Sequence, residues 1–193
     1  MKRFALVVLL LTALAAGVFL ALHRPGAQAS PDVTITVNSV DDIVDPNAVL
    51  TLREAMKLAT GELSLGDLAG GECVQVSGAY YVVGPGCKMQ PPWPPRPGAS
   101  SPDTIVFDPA VFPPASPATI ALASALPDLS TGNDTVDGSS AGVIVDGVSK
   151  SFGCFDITSD SNTIKGLQIY NCSMCVRIHD AAGSNTTQVR SGC

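Results

Sequence analysis

From Asp103 onward the chain breaks into short β-rich pieces, each closed by small or turn-forming residues, and no helical periodicity separates them. The pieces fall at 104–107 (TIVF), 119–122 (TIAL), 135–138 (TVDG), 143–147 (VIVDG), 155–157 (FDI), 163–169 (TIKGLQI) and 176–178 (VRI). Parallel strands joined by helices are thereby disfavoured, leaving a sandwich or a solenoid. Val33–Val37 alternates apolar and β-branched polar residues and predicts one more half-buried strand near the start.

Internal offsets choose between these two architectures. Cys154-Phe-Asp-Ile157 aligns with Cys175-Val-Arg-Ile178 at an offset of 21, Cys172 and Cys193 share that offset, and Asn162-Thr matches Asn185-Thr at 23. A repeat of that length with strand-turn-strand content is what stacked parallel coils require, so an all-β parallel β-helix is expected. Ile157 and Ile178 would then stack inside, and Asn162 and Asn185 would hydrogen-bond along successive turns. On this reading 103–193 are the coils, and the chain stops within a repeat, which predicts further coils beyond Cys193.

Composition excludes other classes. Charged residues are 15% and aromatics 5%, against 18 Gly and 15 Pro, which is not the make-up of a coiled coil. A 46% hydrophobic content is enough for a core. The net charge is −6, and Lys2, Arg3 and Arg24 all lie in the first segment, so the remainder is more negative still. A nucleic-acid partner is not expected of such a surface.

Lys2 and Arg3 precede an uncharged run over 4–22, followed by Ala27-Gln28-Ala29, a small-x-small pattern. We read 1–29 as an export signal cleaved before Ser30. The competing reading is an uncleaved anchor, since the run nearly reaches the roughly 20 residues a span needs, and it is the only membrane contact the sequence offers. Six cysteines follow: Cys73, Cys87, Cys154, Cys172, Cys175 and Cys193. In an oxidising compartment they allow three bridges, with Cys73 and Cys87 a natural local pair. Cys172-Ser-Met-Cys175 has metal or redox spacing, but no second Cys/His pair accompanies it, and disulfide or buried cysteines are the simpler reading.

Residues 30–61 read as an N-terminal cap of strand and helix. Thr51 and Glu54 have capping-box spacing, Gly61 suits the C-terminal end, and Leu52, Ala55, Met56 and Ala59 share one face. Such an amphipathic helix would cover the first open edge of the strands. Arg53 and Glu54 are assigned structural roles, as a surface ion pair and a cap. Asp41, Asp42, Asp45 and Asn47 form an acidic loop. A Ca²⁺ site there is conceivable, but the spacing is not that of an EF-hand and no cofactor is expected. Residues 62–102 read as a Gly/Pro-rich insertion loop around Pro91-Pro-Trp-Pro-Pro-Arg-Pro97, with Trp93 outside the core.

Thr34-Ile-Thr-Val-Asn-Ser39, the acidic loop, Leu50-Thr-Leu-Arg-Glu-Ala55, Asp103-Thr-Ile-Val-Phe107 and Thr135-Val-Asp-Gly138 together resemble the amino-terminal region of exported bacterial proteins named for a Cys-Ser-Leu-Arg-Glu-Ala (CSLREA) motif. Leu50 stands where the family has its naming cysteine. The resemblance implies a right-handed parallel β-helix of the pectate-lyase-like type, export, and display at the cell surface in adhesin-like proteins. It brings no catalytic residues.

A polysaccharide lyase on such a scaffold needs clustered carboxylates and a basic residue beside the uronate, for which Asp137, Asp146, Asp156 and Arg177 are the candidates. Asp137 and Asp146 precede glycines and read more simply as turn residues. Paired-carboxylate hydrolysis draws on the same residues. His179 beside Asp180 lacks a nucleophile elbow. The expected function is therefore an exported structural, adhesin-like or glycan-binding module, with glycan or a cell-surface protein as partner. The alternative is a lyase or glycoside hydrolase whose site lies on coils beyond Cys193.

Overall fold

The computed structural model describes residues 33–81, 86–89, 96–98, 102–149, 151–179 and 182–193. The expected export signal, Trp93 with most of its proline run, and Asp180 lie outside these residues. Strand β1 (Val33–Val37) alternates as its sequence does, burying Val33, Ile35 and Val37. Helix α1 (Leu52–Ala59) begins where the Thr51 hydroxyl accepts the Glu54 N–H (3.2 Å) while the Glu54 carboxylate accepts the Thr51 N–H (2.9 Å). Those two bonds satisfy amides a helix start leaves free. Its apolar face buries Leu52, Ala55, Met56, Leu58 and Ala59 completely.

The stretch read as an insertion loop holds structure of its own. A 3-10 turn (Leu65–Asp67) leads into the short helix α2 (Gly70–Cys73) and an antiparallel hairpin of β2 (Ala79–Tyr81) with β3 (Cys87–Met89). The Cys73–Cys87 disulfide staples α2 to β3. Gly71 is required there, because a Cβ would lie 2.5 Å from the Ala48 Cα.

The remaining strands are β4 (Asp103–Phe107), β5 (Ala118–Ala121), β6 (Thr135–Asp137), β7 (Val143–Asp146), β8 (Gly153–Ile157), β9 (Thr163–Tyr170), β10 (Met174–Ile178) and β11 (Thr186–Gly192). Seven of the strands form one sheet in the order β1-β4-β6-β9-β7-β5, with β11 on β9, and every pairing in it is parallel. β8 and β10 make a separate parallel pair. Strand β9 holds the large sheet together: Thr163, Ile164 and Lys165 pair with β6, while 167–170 pair with β7. Between them Gly166 has φ +71°, and a Cβ would meet the Ser139 N at 2.3 Å. Only glycine lets the strand pass from one neighbour to the other at that approach.

Two expectations are corrected here. The fold is not an all-β right-handed parallel β-helix: the described residues form a seven-stranded parallel sheet, a separate parallel pair, two helices and an antiparallel hairpin, an α/β-like mix with mostly parallel strands. The repeat behind that expectation does not extend along the chain. The 21-to-23-residue offset holds for β8 with β10, where Phe155 faces Val176, and for β9 with β11, where Thr163 faces Thr186, but β1 pairs with a strand 70 positions on, Val33 facing Asp103. The interior ladder fails with it, since Ile157 is fully buried and Ile178 is 44% exposed. Nor does α1 shield the outer edge of β1. That edge bonds to residues 75–77, with Thr36 N–H donating to the Gln75 carbonyl (2.8 Å) and Ser77 N–H to the Thr34 carbonyl (2.8 Å).

A continuous core runs from β1 and α1 through Ile105, Phe107, Phe112, Ile120 and Val136 to Ile164, Leu167 and Ile169. Each such side chain contributes about 2 kcal/mol by leaving water. Phe107 and Phe112 pack edge to face at 5.4 Å.

Candidate functional site

The most ordered polar feature is a line of Asx side chains at the starts of four consecutive parallel neighbours, the first three of them buried. Asp103 N–H donates to Asp134 Oδ1 (3.2 Å), Asp134 N–H to Asn162 Oδ1 (3.0 Å) and Asn162 N–H to Asn185 Oδ1 (2.7 Å). Asp103, Asp134 and Asn162 are fully buried. The amides of Asn162 and Asn185 both donate to the Ser159 carbonyl, at 3.0 Å each. Burial, against the opposing bonds from Thr131 and the Asp103 N–H, pushes the Asp134 carboxyl up to about 6. The sequence reading had Asn162 and Asn185 but missed Asp103 and Asp134. Their signal was the dipeptide Asx-Thr, present at 103–104, 134–135, 162–163 and 185–186. The threonines pair in turn, Thr104 with Thr135, Thr135 with Thr163, and Thr163 with Thr186.

Arg53 pairs with Asp42 and not with its neighbour Glu54. Its Nε and Nη2 donate to the two Asp42 oxygens at 2.8 Å each, and it also reaches the carbonyls of Ser124 and Ala125. Asp42 in turn accepts the Ala123 N–H at 2.7 Å. This ion pair joins the acidic loop, α1 and the segment after β5. The other loop residues are similarly engaged: Asp41 accepts the Ser39 hydroxyl, Asn47 accepts the Val49 N–H, and Asp45 N–H donates to Glu54. Burial raises the nearby Glu72 carboxyl, the Ala69 N–H opposes this, and Glu54 and Asp45 add to it. Among the described residues, no group of three or more His, Cys, Asp or Glu is placed to hold a metal ion.

The residues considered for catalysis are distributed over the two sheets. Asp137, on β6, accepts the Ser139 N–H (2.9 Å) and pairs with Lys165 (3.0 Å). Burial works against its charge, but the bonds from Ser139 and Lys165 prevail and lower its pKa. Asp146, on β7, accepts the Val148 N–H (2.7 Å) and the Asn171 amide (2.9 Å). Both bonds to the residue two places on are Asx turns. Asp156 and Arg177 do meet, across β8 and β10, in a bidentate pair with Nε–Oδ1 2.5 Å and Nη2–Oδ2 2.9 Å. The hydrogen bond and the charge of Asp156 hold the Arg177 pKa above its ordinary value. His179 Nε2 lies 3.5 Å from the same Asp156 Oδ1. No hydrogen bond or ion pair among the described residues joins Asp137 or Asp146 to this cluster.

All six cysteines are bridged, Cys73–Cys87, Cys154–Cys172 and Cys175–Cys193. Cys172 and Cys175 therefore bond in opposite directions along the chain and form neither a metal half-site nor a dithiol. Three disulfides suit an oxidising or extracellular environment. Among the described residues, no helix is long and apolar enough to cross a membrane. A cavity of about 600 Å³ lies between the end of α1, the 3-10 turn and β3; Leu58, Leu63, Leu65 and Met89 line it together with Lys88 and Arg96, and among the described residues no acid does. Compared with known proteins, the chain matches no family model, no curated protein and no solved structure.

Proposed function

We propose that this chain is an exported, disulfide-clamped scaffold that presents a surface to a glycan or a cell-surface protein and carries out no chemistry on the residues described. One observation carries this reading: the carboxylates a lyase or hydrolase would use are already engaged in holding backbone and neighbouring strands. Asp137 and Asp146 close Asx turns, and Asp156 is held by both donors of Arg177. An acid fixed in a bidentate pair is not available to take a proton from substrate or to ligate Ca²⁺. The basic-then-apolar N-terminus, the Ala27-Gln28-Ala29 pattern, the resemblance to CSLREA-motif proteins and the three disulfides support export.

The test has two arms. Expressed from its own N-terminus, the protein is expected outside the cytoplasm with Ser30 as its first residue, and retention with Met1 intact would contradict export. Incubated with polygalacturonate and Ca²⁺, it is expected to give no rise in absorbance from unsaturated product while a glycan or cell-surface pull-down retains it. Product formation that disappears in Asp156→Asn would replace the scaffold reading with a lyase.

A further inference from the structure

Seven Lys and Arg side chains lie among the described residues, and four of them are in ion pairs: Arg53 with Asp42, Lys57 with Glu62, Lys165 with Asp137 and Arg177 with Asp156. Of the other three, Lys88 and Arg96 are exposed and line the same cavity of about 600 Å³. No hydrogen bond or ion pair among the described residues engages either of them. In a chain of net charge −6 this is a local excess of positive charge without an internal partner. The acids nearest the cavity in sequence are themselves engaged, Glu62 with Lys57 (2.9 Å) and Asp67 with the Ser64 hydroxyl (2.7 Å). The rest of the lining is largely aliphatic, with Leu58, Leu63, Leu65 and Met89 beside the two cations. Among the described residues no aromatic ring lines the cavity for a sugar to stack on.

Two glycine contacts hold the backbone around this cavity. Gly86, just before β3, has φ +70°, and a Cβ on it would lie 2.1 Å from the Gly66 carbonyl oxygen. Gly98, just after Arg96, has φ +74°, and a Cβ on it would lie 2.6 Å from the Gly61 Cα. The start of β3 is thus set against the 3-10 turn, and the segment 96–98 against the end of α1, at approaches that only glycine allows. Cys73–Cys87 fixes β3 a second time, and the Gly98 N–H donates to Asp103 Oδ2 (2.7 Å). Lys88 and Arg96 are therefore carried on anchored backbone, which reduces the ordering that a ligand would have to impose. We infer that this cavity binds a free organic anion with an apolar body, of the medium-chain carboxylate kind, its hydrocarbon against the leucines and Met89 and its head group on Lys88 and Arg96. A volume of this size with apolar walls and a few charged groups is what small-molecule sites have in common. Charge-assisted bonds from ammonium and guanidinium to a carboxylate would fix its orientation. The site is separate from any surface offered to a glycan or protein, so its failure would leave the scaffold reading standing.

The probe is sodium decanoate, titrated into the disulfide-bonded, isotopically labelled protein and followed by calorimetry and amide NMR. Saturable binding is expected with a Kd of about 0.1 mM, with shifts at Leu63, Leu65, Lys88 and Met89. Octanoate, shorter by two methylenes, should bind about tenfold more weakly. Decyltrimethylammonium, which has the same chain and the opposite charge, should not bind measurably. Lys88→Gln/Arg96→Gln changes two exposed side chains and should weaken decanoate binding about tenfold or more without a fall in Tm. No saturation by about 1 mM, shifts confined to other residues, equal binding of the cation, or equal affinity of the double variant overturns the inference. Uptake of the protein on phosphatidylglycerol vesicles without binding of monomeric decanoate would assign the two cations to a membrane surface and overturn it as well.

Discussion

Replacing Asp134 by asparagine separates the hydrogen-bonding role of that side chain from the cost of its charge. In the folded protein Asp134 is fully buried, accepts the Asp103 N–H at 3.2 Å and the Thr131 hydroxyl at 2.6 Å, and has its pKa raised from 3.8 to about 6. The folded chain therefore holds a proton more tightly than the unfolded one between about pH 4 and 6. Its stabilising contribution is complete below about pH 4 and is lost as pH rises through about 6. Two pKa units correspond to about 3 kcal/mol, so that is the most the ionised carboxylate costs at neutral pH. Asparagine keeps the acceptor for Asp103. Its amide has a partner too, because the Thr131 hydroxyl has one proton and two acceptors in reach, Asp134 Oδ2 and the Ala59 carbonyl at 3.1 Å. If the proton goes to Ala59, the hydroxyl oxygen accepts from the amide. Asp134→Asn is thus expected to match wild type in urea unfolding at about pH 4 and to exceed it by about 1–3 kcal/mol at pH 7.5. A variant destabilised equally at both pH values would show that the Asp134 carboxyl titrates alike in the folded and unfolded chain, and the assignment of burial as the dominant effect would be refuted.

Three further substitutions test other parts of the structure. Arg53→Ala leaves Asp42, whose side chain is 3% exposed, without its partner and should cost about 3 kcal/mol in chemical denaturation, with the double variant Arg53→Ala/Asp42→Ala recovering part of it. Asn162→Ala removes the acceptor of the Asp134 N–H and the donor to Ser159, for an expected loss of about 2–3 kcal/mol, against about 1 kcal/mol for Asn185→Ala at its half-exposed site. Gly166→Ala places a Cβ against Ser139 at φ +71° and should lower stability by about 2 kcal/mol or more, read as a fall in Tm.

What the sequence revealed and what it concealed divide by range. Strand β1 and helix α1 were legible because alternation, the Thr51/Glu54 box and Gly61 are local signals that tertiary packing did not have to override. The short β pieces were legible for the same reason. The order of the sheet was not, because it depends on which distant segment each strand meets: Val33 finds Asp103 across 70 positions, and β9 divides its length between β6 and β7. The hairpin of β2 and β3 was hidden in a stretch whose glycines and prolines read as loop, though Cys73 and Cys87 bracketed most of it. A repeat of 21 to 23 residues was inferred from Cys154 with Cys175, Cys172 with Cys193 and Asn162 with Asn185; that spacing is real between β8 and β10 and between β9 and β11 but does not extend to the earlier strands. The Asx-Thr dipeptides were the better guide to strand neighbours. Their separations shrink from 31 to 28 to 23 residues, so a search for one period passes over them. Of the candidate catalytic residues, Asp156 and Arg177 meet, with His179 beside them. Their identities were plain in the sequence, but their mutual bidentate pairing depends on the register of two strands 21 residues apart.

The central claim is that these strands stack in parallel with the registers given, and disulfide mapping of the non-reduced protein tests it most directly. Each bridge requires its two segments to be neighbours, with sequence separations of 14, 18 and 18. Mass spectrometry of a non-reduced digest is predicted to show Cys73 linked to Cys87, Cys154 to Cys172 and Cys175 to Cys193, with no free thiol. A Cys172–Cys175 link, or Cys154 joined to Cys193, would contradict it.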